Sequence, residues 1–137
     1  MLEVKVEHLG AVQFEVTAGR NKVVSDQPES NHGFDEGMTP PELLLASLGS
    51  CAGYYAVDYF KRNKLNVEGT KVRVTCDKAK NPPRLDDFRI ELDIPAELTE
   101  EQRKGVEDAV HRCLIHNTLL NPPKIALEVR TANEVAK

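Results

Sequence analysis

Tryptophan is absent from this 137-residue chain, and aromatic residues make up only 5% of it. Its core must therefore be aliphatic, and 40% apolar content suffices for one compact domain, expected to span residues 1–137. Long apolar runs are missing as well. Asp58 and Lys61 interrupt the best candidate, which excludes a membrane-spanning helix, and no membrane partner is expected. The N-terminus goes straight into an alternating pattern without the charged and apolar regions of a signal peptide, so the expected location is cytoplasmic. Basic excess is lacking: 18 Lys and Arg stand against 22 Asp and Glu, a formal charge of -4. Such a chain gains nothing from phosphate neutralisation, so no nucleic-acid partner is expected. Cysteine is scarce too. Three thiols in a reducing compartment are no disulfide framework; they are core fillers, ligands or redox groups.

What is present reads as a mixed α+β chain. Leu2–Glu7 and Val12–Val16 alternate apolar and polar residues, the period of a half-buried strand. With Lys22–Ser25 they form an expected three-stranded antiparallel meander, turning at 9–11 and at 18–21. Residues 26–39 are rich in Pro, Ser, Asn, Gly and acids, a loop long enough to suggest a role of its own. Thr39 offers an N-cap oxygen and Pro40 suits the first helical position. From Pro41 to about Lys64 apolar residues point in nearly all directions, the pattern of a helix buried on every side. A small sheet cannot cover it, so either a dimer or sheet on both faces is implied.

Lys71–Cys76 and Phe88–Ile94 alternate again, with a hairpin-like loop at Asn81-Pro82-Pro83. Thr99 and Gln102 form a capping box, opening a helix whose stripe is Val106, Ala109, Val110, Cys113 and Leu114, with its end near Asn117. Lys124–Val129 reads as a last strand at an edge or insertion. The expected order is βββ–α–ββ–α–β, with antiparallel pairing dominant.

Cys51 lies mid-helix between Gly49 and Gly53, where each glycine costs about 1 kcal/mol relative to alanine. Paired glycines there imply that something approaches the backbone closely. The bland alternative is that Cys51 and Cys113 are small buried hydrophobes. A metal site made from His111, Cys113 and His116 is disfavoured, because 111 would not share a helical face with 113 and 116 and no further ligand stands at a recognisable spacing. No metal and no cofactor are expected.

The segment Pro40-Pro41-Glu42-Leu43-Leu44-Leu45-Ala46-Ser47-Leu48-Gly49-Ser50-Cys51 resembles the central-helix signature of OsmC/Ohr-like proteins, within their broader OsmC-like branch. Cys113-Leu114-Ile115-His116-Asn117-Thr118-Leu119 resembles their second-cysteine segment. The resemblance implies an intertwined homodimer with the site at the subunit interface. It also implies thiol-dependent reduction of small organic hydroperoxides in oxidative-stress defence. Cys51 would become a sulfenic acid, Cys113 would condense with it, and an external dithiol would reduce the disulfide. The rival from another class is a non-catalytic protein of the same fold that binds a small hydrophobic ligand at the dimer cleft.

Only a thiolate attacks peroxide, burial in apolar surroundings raises a thiol pKa, and Cys51 is too deep in its helix for the dipole to help. A cation is needed. Arg20, in the turn before the third strand, matches the family's active-site arginine by position, and a guanidinium stays charged when partly buried. Hydroperoxide reductases of the family orient that arginine with the glutamate of a Pro-Glu pair. Here Pro41 occupies the matching position and Glu42 follows one residue later, a rotation of about 100°. Glu42 is thus a candidate acid, with Asp35 and Glu36 as alternatives. Cys76 matches no reactive position and reads as packing. Tyr54 and Tyr55 are candidates to line an apolar pocket or to fill the core.

Overall fold

A computed structural model describes residues 1–66 and 68–135. Strands β1 (Lys5–Gly10), β2 (Gln13–Ala18) and β3 (Asn21–Ser25) form the expected antiparallel meander, in spatial order β1-β2-β3. Gly19 and Arg20 make the two-residue turn between β2 and β3, and Gly19 takes the positive φ (+61°) that such a turn demands. Several apolar side chains at the sheet stay uncovered among the described residues: Val6 and Val23, with Val4 just before β1, are each about half exposed.

The loop after β3 is ordered by Asp26, whose side chain is buried. Its carboxylate accepts hydrogen bonds from the backbone N–H of Gln27 (2.8 Å), Phe34 (3.2 Å) and Glu36 (3.1 Å), and from the side-chain amide of Gln13 (3.1 Å). Burial alone would raise this carboxyl's pKa; the four hydrogen bonds outweigh it and hold the group below the usual carboxylate range. Gly33 and Gly37 let the loop fold back on itself. A Cβ at Gly33 would strike the carbonyl of Gln27, and one at Gly37 that of Val24.

Helix α1 (Pro40–Arg62) starts as the sequence implies, with Thr39 capping and prolines in the first turn. One stripe of it, Leu48, Ala52, Ala56 and Phe60, is buried at a four-residue spacing. Phe60, Ala52 and Ala56 join Val106 and Val110 of α2 (Glu100–His111) in the core cluster, flanked by Ile90 and Leu92 of β5. Strands β4 (Lys71–Ala79) and β5 (Arg84–Asp93) pair antiparallel and lie against α1. That contact explains the helix glycines. A Cβ at Gly49 would stand 3.0 Å from Val74 Cγ2, and one at Gly53 3.4 Å from Val72 Cγ2, so strand β4 is what approaches the backbone. Cys76 sits in β4 where the pairing register shifts, between Thr75 and Asp77.

The helix expected to run from Thr99 to near Asn117 is two helices. α2 opens on the Thr99–Gln102 capping box but ends at His111, and α3 (Leu114–Leu120) begins anew after Cys113. Arg112 and Cys113 donate their N–H groups to carbonyls three residues back (3.1 and 3.0 Å), and the backbone of Cys113 turns extended (φ -55°, ψ 127°). The order closes with a short α4 (Ala132–Val135).

The expected last strand at 124–129 does not form in this chain. Its apolar residues alternate as foreseen, yet Ile125, Leu127 and Val129 are 89%, 88% and 76% exposed, and no strand pairing is made there. A strand needs a neighbouring edge for its backbone groups, and no described part of this chain supplies one to this segment. The expectation that α1 is covered on all sides meets the same limit: one stripe is buried, while Tyr54 is 67% exposed. No described helix is long and apolar enough to cross a membrane.

Candidate active site

Cys51 lies at the middle of α1, beside the buried stripe residue Ala52, and is partly exposed. Cys113 occupies the break between α2 and α3 and is fully buried. Its Sγ caps α3 by accepting the backbone N–H of His116 at 3.4 Å, an interaction that exists because the helix stops and restarts there. Helix α3 packs on α1, and this sets Cys113 near enough to Cys51 for the two thiols to interact. Both are free thiols.

Burial pushes the Cys113 thiol above its ordinary pKa, and the adjacent Cys51 sulfur pushes it further, through hydrogen bonding and charge. The backbone N–H groups of His116 and Ile115 act the other way without cancelling these effects. Cys113 is the buried partner and Cys51 the partly exposed one. A partly exposed thiol backed by a buried one suits sequential chemistry: attack from outside by the first, then closure by the second.

Arg20 stands elsewhere. It is exposed in the β2–β3 turn, and no hydrogen bond or ion pair ties its guanidinium to another described residue. The main packing contacts join α1 to α2, β4, β5 and α3; none of them joins the three-stranded sheet to this core. Glu42 is engaged at the helix N-terminus. Its carboxylate accepts the Thr39 hydroxyl at 2.7 Å and the Thr39 N–H at 3.3 Å, and Thr39 in turn accepts the Glu42 N–H. The hydroxyl first and the backbone N–H second hold its pKa below the usual carboxylate range, partly offset by desolvation. Asp35 and Glu36 lie exposed in the loop that Asp26 organises, where the Glu36 N–H is one of the groups bound.

A cavity of about 520 Å³ opens between α1, β5 and α3, lined by Leu44, Leu48, Leu85, Phe88 and Ile90, with Asp86, Asp87 and His116 also in its wall. Leu44 and Leu48 precede Cys51 by seven and three residues, which places all three on one face of α1. Tyr54 and Tyr55 line no described cavity and instead stack edge to face (5.3 Å). His111 also departs from expectation. The break after α2 swings its ring edge-on to that of His116 (centroids 5.5 Å), although a continuous helix would have separated them. Even so, no group of three or more His, Cys, Asp or Glu that could hold a metal occurs among the described residues.

Asp26 was not singled out by sequence reasoning, and His116 was weighed only as a metal ligand. An Asp at a strand end before a Ser-, Asn- and Gly-rich loop is a usable signal. Its partners 8, 10 and 13 residues away leave no such trace.

Comparison with known proteins gives this arrangement its context. Residues 33–128 match the family model described as OsmC-like protein. No curated protein matches the chain. Among solved structures, one from Psychrobacter arcticus, named provisionally as an osmotic stress induced and detoxification response protein, is similar at 24% identity. That match covers 86% of this chain and 88% of the other with a TM-score of 0.78. An organic hydroperoxide resistance protein OsmC from Legionella pneumophila is 18% identical, with 87% and 88% covered and a TM-score of 0.61. A third, an organic hydroperoxide resistance protein from Elizabethkingia anophelis, is 19% identical, with 89% and 91% covered and a TM-score of 0.65. At these identities the likeness concerns the fold. The family match extends over both cysteine segments, and the chain belongs to the OsmC-like family.

Proposed function

We propose that the protein reduces organic hydroperoxides through its two neighbouring cysteines, as part of oxidative-stress defence. The Cys51 thiolate attacks the distal peroxide oxygen, the O–O bond breaks, and a proton delivered to the departing oxygen releases an alcohol. Cys51 is left as a sulfenic acid. Cys113 then forms the disulfide and expels water, and an external dithiol restores both thiols by exchange. The observation that carries this reading is the pairing of a partly exposed Cys51 with a buried Cys113. Family membership and the hydroperoxide-resistance relatives support the stress-defence role.

A homodimer completes the site in this reading. The bare sheet face, the exposed 124–129 segment and the uncovered side of α1 are surfaces that a second copy would bury. The main packing contacts do not join the sheet bearing Arg20 to its own core, which supports a reading in which Arg20 reaches a thiol across that interface. Mixing Arg20→Ala with Cys51→Ser subunits tests this directly, since a site shared between chains regains activity in the mixed dimer and a site within one chain does not.

The assay is consumption of cumene or tert-butyl hydroperoxide with a dithiol reductant. Turnover is expected in the wild type and lost in Cys51→Ser, with a trappable sulfenic acid in Cys113→Ser. Equal inactivity of wild type and Cys51→Ser overturns the proposal. It would favour a ligand-binding protein, a reading that draws on the largely aliphatic cavity between α1, β5 and α3 and on the engagement of Glu42 in the helix cap.

A further inference from the structure

Disulfide formation requires Cys113 to give up its proton, and in its buried position it holds that proton firmly. A sulfur so placed closes on a sulfenic acid slowly unless a base stands next to it. The candidate is in the same turn. The backbone N–H of His116 already donates to Cys113 Sγ at 3.4 Å, so its imidazole springs from the same residue that contacts the sulfur. Its Nδ1 is buried and has no hydrogen-bond partner among the described residues. A buried polar atom left unpaired costs about 1–3 kcal/mol, so such atoms call for an explanation.

We infer that His116 is the catalytic base of the resolving step, its Nδ1 taking the Cys113 proton as the S–S bond forms. This rests on the two-cysteine reading above. The imidazole acts as its Nε2–H tautomer. Nδ1 accepts the Cys113 proton, the Cys113 sulfur attacks the sulfenic sulfur of Cys51, and the S–O bond breaks. The same proton passes to the departing hydroxide, and water leaves. Cys113 sulfur is oxidised by one level and Cys51 sulfur reduced by one, so no further oxidant is needed. His116 thus serves Cys113 twice: its backbone N–H stabilises charge on the sulfur, and its ring moves the proton. His116 also lines a cavity together with Leu44 and Leu48 of α1.

The groups that bear on its titration are Cys51 on α1, the His111 ring on α2, Cys113 at the break, and Asp86 and Asp87 of β5, which line the same cavity. The test is rapid mixing of the reduced full-length protein with cumene hydroperoxide. Cys51 sulfenic acid is followed by dimedone trapping, and the disulfide by mass spectrometry of acid-quenched samples. In His116→Gln and His116→Phe the sulfenic acid should form at the wild-type rate. The disulfide should then form about 100-fold more slowly, the scale of general-base catalysis. The wild-type closure rate should rise with pH through one ionisation that both variants lack. Far-UV circular dichroism reports folding, and if the phenylalanine variant fails to fold the glutamine variant carries the test. Closure as fast as wild type with an unchanged pH profile overturns the assignment. Absence of any dimedone adduct on wild-type Cys51 instead removes the peroxidase reading, and this assignment with it.

Discussion

Cys113 has a structural duty separable from any redox one, and replacing it by Ala and by Ser isolates that duty. Alanine removes the acceptor that caps α3. Loss of an N-cap costs about 0.5–2 kcal/mol, and a weak sulfur acceptor belongs in the lower half of that range. Alanine also empties a site that is fully buried, and a missing methyl-sized group costs about 1 kcal/mol in a packed interior. Together these give about 1.5–2.5 kcal/mol, or a Tm lower by about 5–10 °C for a chain of this size. Serine keeps an oxygen that accepts the His116 N–H, so its loss should stay within about 1 kcal/mol. Thermal unfolding of the reduced proteins, read by far-UV circular dichroism, separates the two. Serine as destabilising as alanine, or more so, would mean that the cap contributes nothing and that the break after α2 has another cause.

Other outcomes follow from the same structure. Asp26 has a depressed folded pKa, so it stabilises the protein above the unfolded carboxyl value of about 3.9 and that stability is lost as pH falls through the folded value. Asp26→Asn should therefore lower the urea midpoint at pH 7 and flatten its decline below about pH 4; an unchanged midpoint at pH 7 refutes the anchoring role. Glu42 also has a depressed pKa, and the sign is the same: its contribution is present at neutral pH and fades on acidification. Glu42→Gln keeps a capping oxygen and should preserve activity, whereas a collapse of turnover without loss of stability would make Glu42 part of the chemistry. Gly37→Ala puts a methyl against the Val24 carbonyl, and overpacking of this kind costs about 1–3 kcal/mol; a urea midpoint equal to wild type would show that the loop relaxes freely.

Most of the architecture was legible because it rests on local rules. Alternation gave four of the five strands, the turn at 18–21 gave the other, and Thr39 and Thr99 announced the helix starts. The break at Cys113 was hidden, since neither glycine nor proline marks it and the apolar stripe continues through Val110 to Leu114. The exposed 124–129 segment misled for the opposite reason: its pattern is that of a strand, but strand formation depends on an edge that this chain does not offer it. At the site, the resemblance named the two cysteines, and folding brings them together. The paired glycines spoke of close approach, and that approach is by Val72 and Val74. Glu42 stands in the helix cap, where a capping box and a Pro-Glu motif use the same residues.

The account depends most on Cys51 and Cys113 interacting within one chain. Reduced protein treated with one equivalent of cumene hydroperoxide, then alkylated, digested and sequenced by mass spectrometry, reads this directly. The expected product is a single intrachain Cys51–Cys113 disulfide, with Cys76 alkylated. Oxidised protein in which these two thiols remain free, or in which Cys51 pairs with Cys76 or with another chain, would contradict it.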